Sequence, residues 1–394
     1  MLIGIPREAS GGETRVALLP DAVARLLKLP GIQIQVEKGL GENVHAPDSA
    51  YEKAGAKLVD RSKVLGASDL ILRIRKPEPA EIGKIRKGAI HLSFLDPYRD
   101  PVTAPKLAAA GVSAISLEMI PRTTRAQRMD VLSSQANLAG YVAVLLASRE
   151  LIRVFPMMMT PAGTLPPARV LIIGAGVAGL QAIATARRLG ARVEAFDTRP
   201  VVKEQVMSLG AKFVEIDLGE TGQTSGGYAK ALTEEQLAKQ RAGLSAVIAA
   251  CDVVITTAQV FGRPAPRIVT KEMVAGMKAG SVVVDLAVDS GGNVEGSVPG
   301  KTVEVGGVRL VGTLNLPGLV AAHASLMLSG NFTAFVEEFW DKDAKAFKWN
   351  LEDDILKGCV ITHGGEVIHE GVKKALAESP AAKSAPKPAA KKKK

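Results

Sequence analysis

Short apolar runs rich in β-branched residues alternate along this chain with longer stretches of helical character, the pattern of parallel α/β domains. Toward the N-terminus the runs predict strands at Leu2–Pro6, Ile32–Val36, Leu70–Arg75, Ala89–Phe94 and Ser113–Glu118. Further along they predict Arg169–Ile173, Arg192–Asp197, Lys212–Ile216, Asp252–Thr256, Ser281–Leu286 and Arg309–Val311. Between the two sets, the prolines and glycine of Met157–Pro167 end one helix before a new strand. From about Pro317 to Asp341 the pattern turns helical again and no run of strands follows. We therefore expect two doubly wound parallel-sheet domains. The first is discontinuous, 1–138 plus 317–380, and the second, 139–316, is inserted into it.

Composition agrees and narrows the classes. With 394 residues, 47% apolar and 23% charged, the chain is globular and large enough for two cores. The formal charge of +10 is concentrated at one end, because 381–394 holds six lysines and no acid and leaves the body at about +4. Its Ala/Pro/Lys composition cannot bury enough apolar surface to order itself, so a disordered basic tail is expected there. An aromatic content of 4%, without basic and aromatic residues interleaved, argues against nucleic-acid binding. Cys251 and Cys359 form no disulfide framework, and five scattered histidines (His45, His91, His323, His363, His369) have no metal-ligand spacing, so no metal is expected. No uncharged apolar stretch is expected to approach the ~20 residues of a membrane span, the greasiest window being Tyr141–Ala147. The N-terminus lacks a signal-peptide pattern, and a cytoplasmic protein is expected.

The sharpest local signal is Gly174-Ala175-Gly176-Val177-Ala178-Gly179, between a buried-strand run and an Ala-rich helix start. A second strand follows and ends in Asp197, 23 residues after Gly174. Each element has a physical task in holding a dinucleotide: Gly174 for the tight turn, Gly176 for approach of a pyrophosphate to helix-terminal amides, Gly179 for close helix packing. Asp197 can accept hydrogen bonds from the adenosine ribose. A 2′-phosphate beside it costs roughly 4 kcal/mol per charge pair at 4 Å and an effective dielectric of 20. NAD(H) is therefore expected over NADP(H), with Arg199 softening the preference. Small residues after two later strands, Thr257, Ala258 and Gln259 in one loop and Asp285–Gly292 in the other, lie on the same carboxyl edge, where open sheets bind ligands. Gln127, Asp130 and Ser133, in the polar segment from Arg122 to Tyr141, offer what a carboxamide needs for a fixed orientation, and Asp130 and Ser133 also suit capping of the next helix. Asp217–Leu232, glycine-rich with Tyr228 as its aromatic, reads as a long flexible loop.

Four segments carry a family resemblance: Arg125–Tyr141, Met157–Val170, the Gly174 turn with Asp197, and Gly226–Lys230. Together they resemble the NAD(H)-binding component of proton-translocating NAD(P) transhydrogenase, over about residues 1–378. The chain is similar to the separate soluble alpha subunit of the three-subunit bacterial form. The resemblance implies a Rossmann NAD(H)-binding domain inserted in a flavodoxin/Rossmann-like one, and a homodimer. It implies peripheral attachment to the cytoplasmic face of the inner membrane through a membrane subunit and an NADP(H)-binding subunit. It also implies that Arg122, Gln127, Asp130 and Ser133 orient the nicotinamide, and that Val177, Asp197, Thr198, Arg199, Gly227, Gln240 and Gln259 line the NAD(H) site. Tyr228 then belongs to a mobile loop that closes over it.

The fold is shared with alanine dehydrogenase, the alternative reading. Arg15 and Asp289 match that enzyme's carboxylate-binding and catalytic positions. Elsewhere the chain departs: Arg75 stands where a substrate-binding lysine is needed, and Asp96 where the acid/base histidine is. An aspartate near pKa ~4 is a poor general acid at neutral pH. A non-enzymatic NAD(H)-sensing module with a docking tail is the rival from another class.

Overall fold

The computed structural model describes residues 1–9, 11–223, 229–230 and 232–379. The basic tail, 381–394, lies outside the described residues. The chain divides into two compact units, one made of Met1–Val131 and the chain from Ala321 onward, the other of Leu132–Val320.

The first unit is built on β1 (Leu2–Ile5), β2 (Gln33–Glu37), β3 (Lys57–Val59), β4 (Leu70–Leu72), β5 (Ile90–Ser93) and β6 (Ser113–Ser116). They form a parallel sheet in the order β3-β2-β1-β4-β5-β6. This is the Rossmann order, so the flavodoxin alternative falls away. Of these strands β3 is absent from the sequence reading, because Lys57-Leu58-Val59 is too short to stand out as an apolar run. The returning limb completes the core: Ile361 and Val372 pack with Ile71, Leu107 and Ala114. The Ala114 amide donates to the Thr362 hydroxyl at 2.9 Å, and the Ile361 amide to the Ala114 carbonyl at 2.8 Å.

After the helix Val131–Glu150 the second unit has an antiparallel hairpin, β7 (Met158–Thr160) and β8 (Gly163–Leu165), where the sequence suggests only a break. Pro161 and Ala162 supply the turn between them. The sheet contains β9 (Arg169–Ile173), β10 (Arg192–Phe196), β11 (Lys212–Phe213), β12 (Val253–Thr256), β13 (Val282–Asp285), β14 (Thr302–Val305) and β15 (Val308–Val311). Its order, β11-β10-β9-β12-β13-β15-β14, repeats that of the first sheet and adds β14 as an antiparallel edge. The apolar runs follow from burial on both faces. Val170 and Ile172 pack with Ala182, Ile183 and Ala186 of the helix Val177–Arg188, while Leu171 and Ile173 pack with Leu244 and Ile248 of the helix Glu234–Ala250.

Two helices, Val131–Glu150 and Leu316–Glu338, are long and apolar enough by composition to cross a bilayer. This corrects the expectation that no stretch approaches that length, since Leu316–Val336 holds no Asp, Glu, Lys or Arg. The second helix has the contacts of a core element. The hydroxyls of Ser325 and Ser329 accept the Val16 and Leu19 amides at 2.9 Å, and Leu328, Phe332 and Phe335 are fully buried.

Candidate functional site

In both sheets the strand order reverses beside the first strand of the unit, which opens a crevice at the carboxyl edge. In the second sheet the crevice lies between the ends of β9 and β12. The chain leaves β9 through Gly174, whose φ of +98° is left-handed backbone that strains any residue with a Cβ. A Cβ there would also meet the Thr257 hydroxyl at 2.6 Å. Thr257 closes the crevice floor by donating from Oγ1 to the Gly174 carbonyl at 2.9 Å. Gly176 precedes the helix Val177–Arg188, and an added Cβ there meets nothing within 4 Å, so the helix-terminal amides are open to approach. At Gly179 a Cβ would sit 1.8 Å from the Gly174 carbonyl oxygen, and glycine alone lets helix and turn pack so closely. Gly140 does the same for the helix Val131–Glu150, where a Cβ would lie 2.1 Å from the Ala178 carbonyl oxygen.

Asp197, just beyond β10, is brought to this turn. Its Oδ2 accepts the Ala175 amide at 2.7 Å. Its remaining acceptor positions go to Arg199, through the backbone amide at 2.8 Å, Nε at 2.9 Å and Nη2 at 2.7 Å. The pair is well buried, with Asp197 5% and Arg199 14% exposed at the side chain. A carboxylate offers about four lone-pair sites, so all of them are engaged here. Ribose hydroxyls can reach Asp197 only by displacing Arg199, and the guanidinium offsets the carboxylate charge that sequence reasoning sets against a 2′-phosphate. Thr198 lies between the two, partly buried.

The loop after β12 has a brace that sequence reasoning misses. Asn293, fully buried, accepts the Ala258 amide at 3.0 Å and donates from Nδ2 to the Ala258 and Pro266 carbonyls at 2.8 Å. Asp285 holds Asn293 in turn, accepting the Asn293 amide at 3.2 Å and the Ser297 hydroxyl at 2.7 Å. The one signal for it is an amide residue directly after Gly291-Gly292, both left-handed in the structure. Gln259 is exposed and donates to the Leu286 carbonyl at 3.2 Å. Gln240 is 3% exposed and shares a helical face with Leu244 and Ile248, one turn nearer the carboxyl edge than Leu244.

Gly227 and Tyr228 lie outside the described residues. The predicted flexible loop around them has a paired stem: Gln223 bridges Ala229, and the Lys230 amide donates to the Gly222 carbonyl at 2.9 Å. The side-chain amide of Gln236, part of a capping box with Thr233, donates to the Leu218 and Glu220 carbonyls at 3.0 Å.

In the first unit Gln127 stands exposed on a single 3-10 turn, Gln127–Met129, followed by Asp130 and the helix Val131–Glu150. Arg122 Nε lies 3.9 Å from Asp130 Oδ2. Ser133 is half-buried in the first turn of that helix, assigned to the second unit.

The corresponding crevice of the first sheet, between the ends of β1 and β4, is filled with charge. Glu8 accepts the Ile74 and Arg75 amides at 2.6 and 3.1 Å, and Arg73 Nη2 lies 3.8 Å from it. Glu13, 1% exposed at its side chain, takes Arg15 through Nε and Nη2 at 2.7 Å and Arg75 Nε at 2.8 Å. Burial alone pushes the Glu13 carboxyl up, but Arg15 and then Arg75 outweigh it and hold it at about 2. Arg15 is thus bonded internally. Asp96, the other position weighed for amino-acid chemistry, has φ +50° and pairs with Arg99 on the surface.

A glycine turn that accepts close approach, helix-terminal amides and a buried carboxylate at the neighbouring strand end define the dinucleotide class of Rossmann proteins. The comparisons narrow this. The alanine dehydrogenase/PNT N-terminal domain model matches residues 4–139, and the C-terminal domain model of the same name matches 143–370. The chain is 44% identical over 377 residues to the first segment of the divided NAD(P) transhydrogenase alpha subunit of Rhodospirillum rubrum, covering 94% of this chain and 98% of that one. It is 30% identical over 380 residues to alanine dehydrogenase of Mycobacterium tuberculosis, covering 94% and 96%. The solved transhydrogenase structure from Sinorhizobium meliloti matches with a TM-score of 0.85 at 47% identity, over 93% of this chain and 100% of that one. The chain belongs to the alanine dehydrogenase/PNT family.

Proposed function

We propose that this chain is the NAD(H)-binding component of a proton-translocating NAD(P) transhydrogenase. The observation that carries the reading is the contrast between its two crevices. One has the glycine turn and Asp197, while the other is packed with Glu8, Glu13, Arg15, Arg73 and Arg75. Among the described residues there is thus one dinucleotide site, and on this reading a second nucleotide, NADP(H), is presented by a partner subunit. The relative from Rhodospirillum rubrum, of nearly the same length and named as a transhydrogenase subunit, supports this.

NADH bound at the turn supplies a hydride from C4 of its nicotinamide to C4 of NADP⁺, and no proton moves in that step. The chain's residues then have only to bind and orient. Gly174, Ala175, Gly176, Val177 and Gly179 present the amides for the pyrophosphate, with Asp197, Thr198 and Arg199 at the adenosine ribose. Thr257, Ala258 and Gln259 form the floor, with Gln240 behind it. Gly227 and Tyr228, which lie outside the described residues, are assigned to the same site by the family resemblance alone. Arg122, Gln127, Asp130 and Ser133 fix the nicotinamide ring, and the acceleration comes from proximity and orientation.

Proton movement belongs to a membrane subunit, to which this chain attaches peripherally at the cytoplasmic face. A homodimer is in keeping with the hairpin β7–β8, which leaves Met157, Met158, Met159 and Leu165 exposed near an open pocket lined by Arg153, Val154, Phe155, Pro156, Arg188 and Leu189.

The test is stopped-flow hydride transfer with the partner NADP(H)-binding subunit. The chain alone transfers nothing to NADP⁺, the reconstituted complex transfers, and Gln127→Asn slows transfer by more than it weakens NADH binding. Transfer by the chain alone at the rate of the complex, or wild-type transfer by Gln127→Asn, overturns the reading.

A further inference from the structure

The turn that carries Gln127 is closed from within by one short bond, from the Met129 amide to the Ala126 carbonyl at 2.8 Å, while the bonds at Gln127 itself are long. The Gln127 amide reaches the Thr124 carbonyl, and the Asp130 amide the Gln127 carbonyl, at 3.4 Å each, beyond the usual range for such bonds. The Gln127 and Arg128 side chains are exposed. The side-chain anchors on either side of Gln127 come from the returning limb. On one side Arg125 Nη2 lies 2.5 and 2.6 Å from the two Asp353 carboxylate oxygens and 2.9 Å from Asp354 Oδ1, with Glu338 3.6 Å from its Nε. Asp353 also caps the helix Asp354–Cys359, accepting the Ile355 amide at 2.9 Å, so the carboxylate that holds Arg125 is itself held. Burial alone raises the Asp353 carboxyl, and the bonds from Arg125 and the helix amides more than reverse this, keeping it below the usual carboxylate range. On the other side of Gln127, Asn331, 8% exposed, donates from Nδ2 to the Arg128 carbonyl at 2.8 Å. Ala126, between the two anchors, and Met129, directly after the second, are buried, 1% and 2% exposed.

We propose that Arg125, Asp353 and Asn331 form a clamp that positions Gln127, and so set the rate of hydride transfer while touching neither nucleotide. The inference rests on the reading that Gln127 orients the nicotinamide. A misplacement of about 1 Å in a transferring geometry costs on the order of 100-fold in rate, whereas binding through adenosine and pyrophosphate is indifferent to it. Arg125 is therefore a positioning residue whose signature is a change in rate without a change in affinity. Lysine keeps the charge and loses the planar fork, so it restores the clamp only in part.

The experiment uses the full chain with its NADP(H)-binding partner subunit, measuring stopped-flow transfer from NADH and NADH affinity by calorimetry. We expect Arg125→Gln to slow transfer about tenfold while NADH affinity stays within about threefold, with Arg125→Lys intermediate. Because Arg125 acts through Gln127, the double variant Arg125→Gln/Gln127→Asn is no slower than Gln127→Asn alone. Wild-type transfer by Arg125→Gln beside a slow Gln127→Asn overturns the clamp and leaves the reading of Gln127 standing. Independent, multiplying losses in the double variant, or an affinity that falls as far as the rate, overturn it as well. Wild-type transfer by Gln127→Asn removes the reading and the clamp together.

Discussion

The two sheets share one strand order and differ in what stands where that order reverses. In the second, Gly174, Gly176 and Gly179 leave the crevice lined with backbone, and Thr257 and Ala258 floor it with small side chains. In the first, two glutamates and three arginines meet at the same topological point: Glu13 binds Arg15 and Arg75, while Arg73 pairs with Glu81 at 2.8 Å and lies 3.8 Å from Glu8. Topology provides a place for a ligand, and side-chain volume and charge decide whether anything can enter. The difference also explains why one unit shows a nucleotide motif and the other, with the same order of strands, does not.

The comparison breaks most readily at Gly179. Valine there puts a methyne where the Gly174 carbonyl lies 1.8 Å from the Cβ position, so the turn cannot close. We expect NADH affinity to fall by more than 100-fold, about 2.7 kcal/mol or more, by calorimetry. An affinity within tenfold of wild type contradicts the account of this turn.

Glu13→Gln attacks the other crevice. Arg15 is left as a buried charge without its full partner, and losses of about 3 kcal/mol are usual for such a change. Urea unfolding should show this loss while NADH affinity stays unchanged. A parallel loss of affinity would mean that the two crevices are coupled. Pyruvate and ammonia with NADH should give no turnover in the wild type, since Arg15 is bound to Glu13 and Asp96 stands in place of an imidazole.

His91, fully buried beneath the first sheet's crevice, offers a smaller and pH-dependent lesion. Burial first, and then the Arg73 charge, lower its pKa to about 3 from 6.5. A depressed folded value means stability that is complete above pH 6.5 and is lost as the pH falls toward 3, because the unfolded chain takes up the proton first. Between pH 7 and 5 this amounts to about 2 kcal/mol, at 1.36 kcal/mol per pH unit below 6.5. The wild type minus His91→Gln difference should show that slope in denaturant midpoints, and a flat difference rejects it.

The smallest effect sharpens nucleotide choice. NADH should bind at least tenfold more tightly than NADPH. Arg199→Ala bares the Asp197 carboxylate and should widen that ratio by about tenfold, or 1.4 kcal/mol, whereas Asp197→Ala frees Arg199 and should narrow it. Ratios that move the opposite way would show that the pair does not govern discrimination.

Strands and their grouping are legible because parallel strands buried on both faces leave unbroken apolar runs, and the glycine turn is legible because its constraints are local. What stays hidden depends on contacts made across long stretches of chain. Nothing near Ala258 announces Asn293, and nothing near Gln127 announces Asp353 or Asn331. Asp197 stands out in the sequence, yet its three bonds from Arg199, two residues on, go beyond the softening that proximity alone suggests. The long helix from Leu316 escapes a search for unbroken apolar runs because its serines interrupt them, and those serines are the ones that bond Val16 and Leu19.

The returning limb also orders events during synthesis. All six strands of the first sheet have left the ribosome by Ser116, but the partners of Val16, Ala114, Arg125 and Arg128 appear only between Ser325 and Thr362. The second unit is continuous in sequence and meets no such delay. At about 5–20 residues per second, a nascent chain carries a nucleotide turn closed by Thr257 for roughly 5 to 20 seconds while the first unit still waits for Thr362. Its exposed sheet edge is then the region of the molecule most in need of a chaperone.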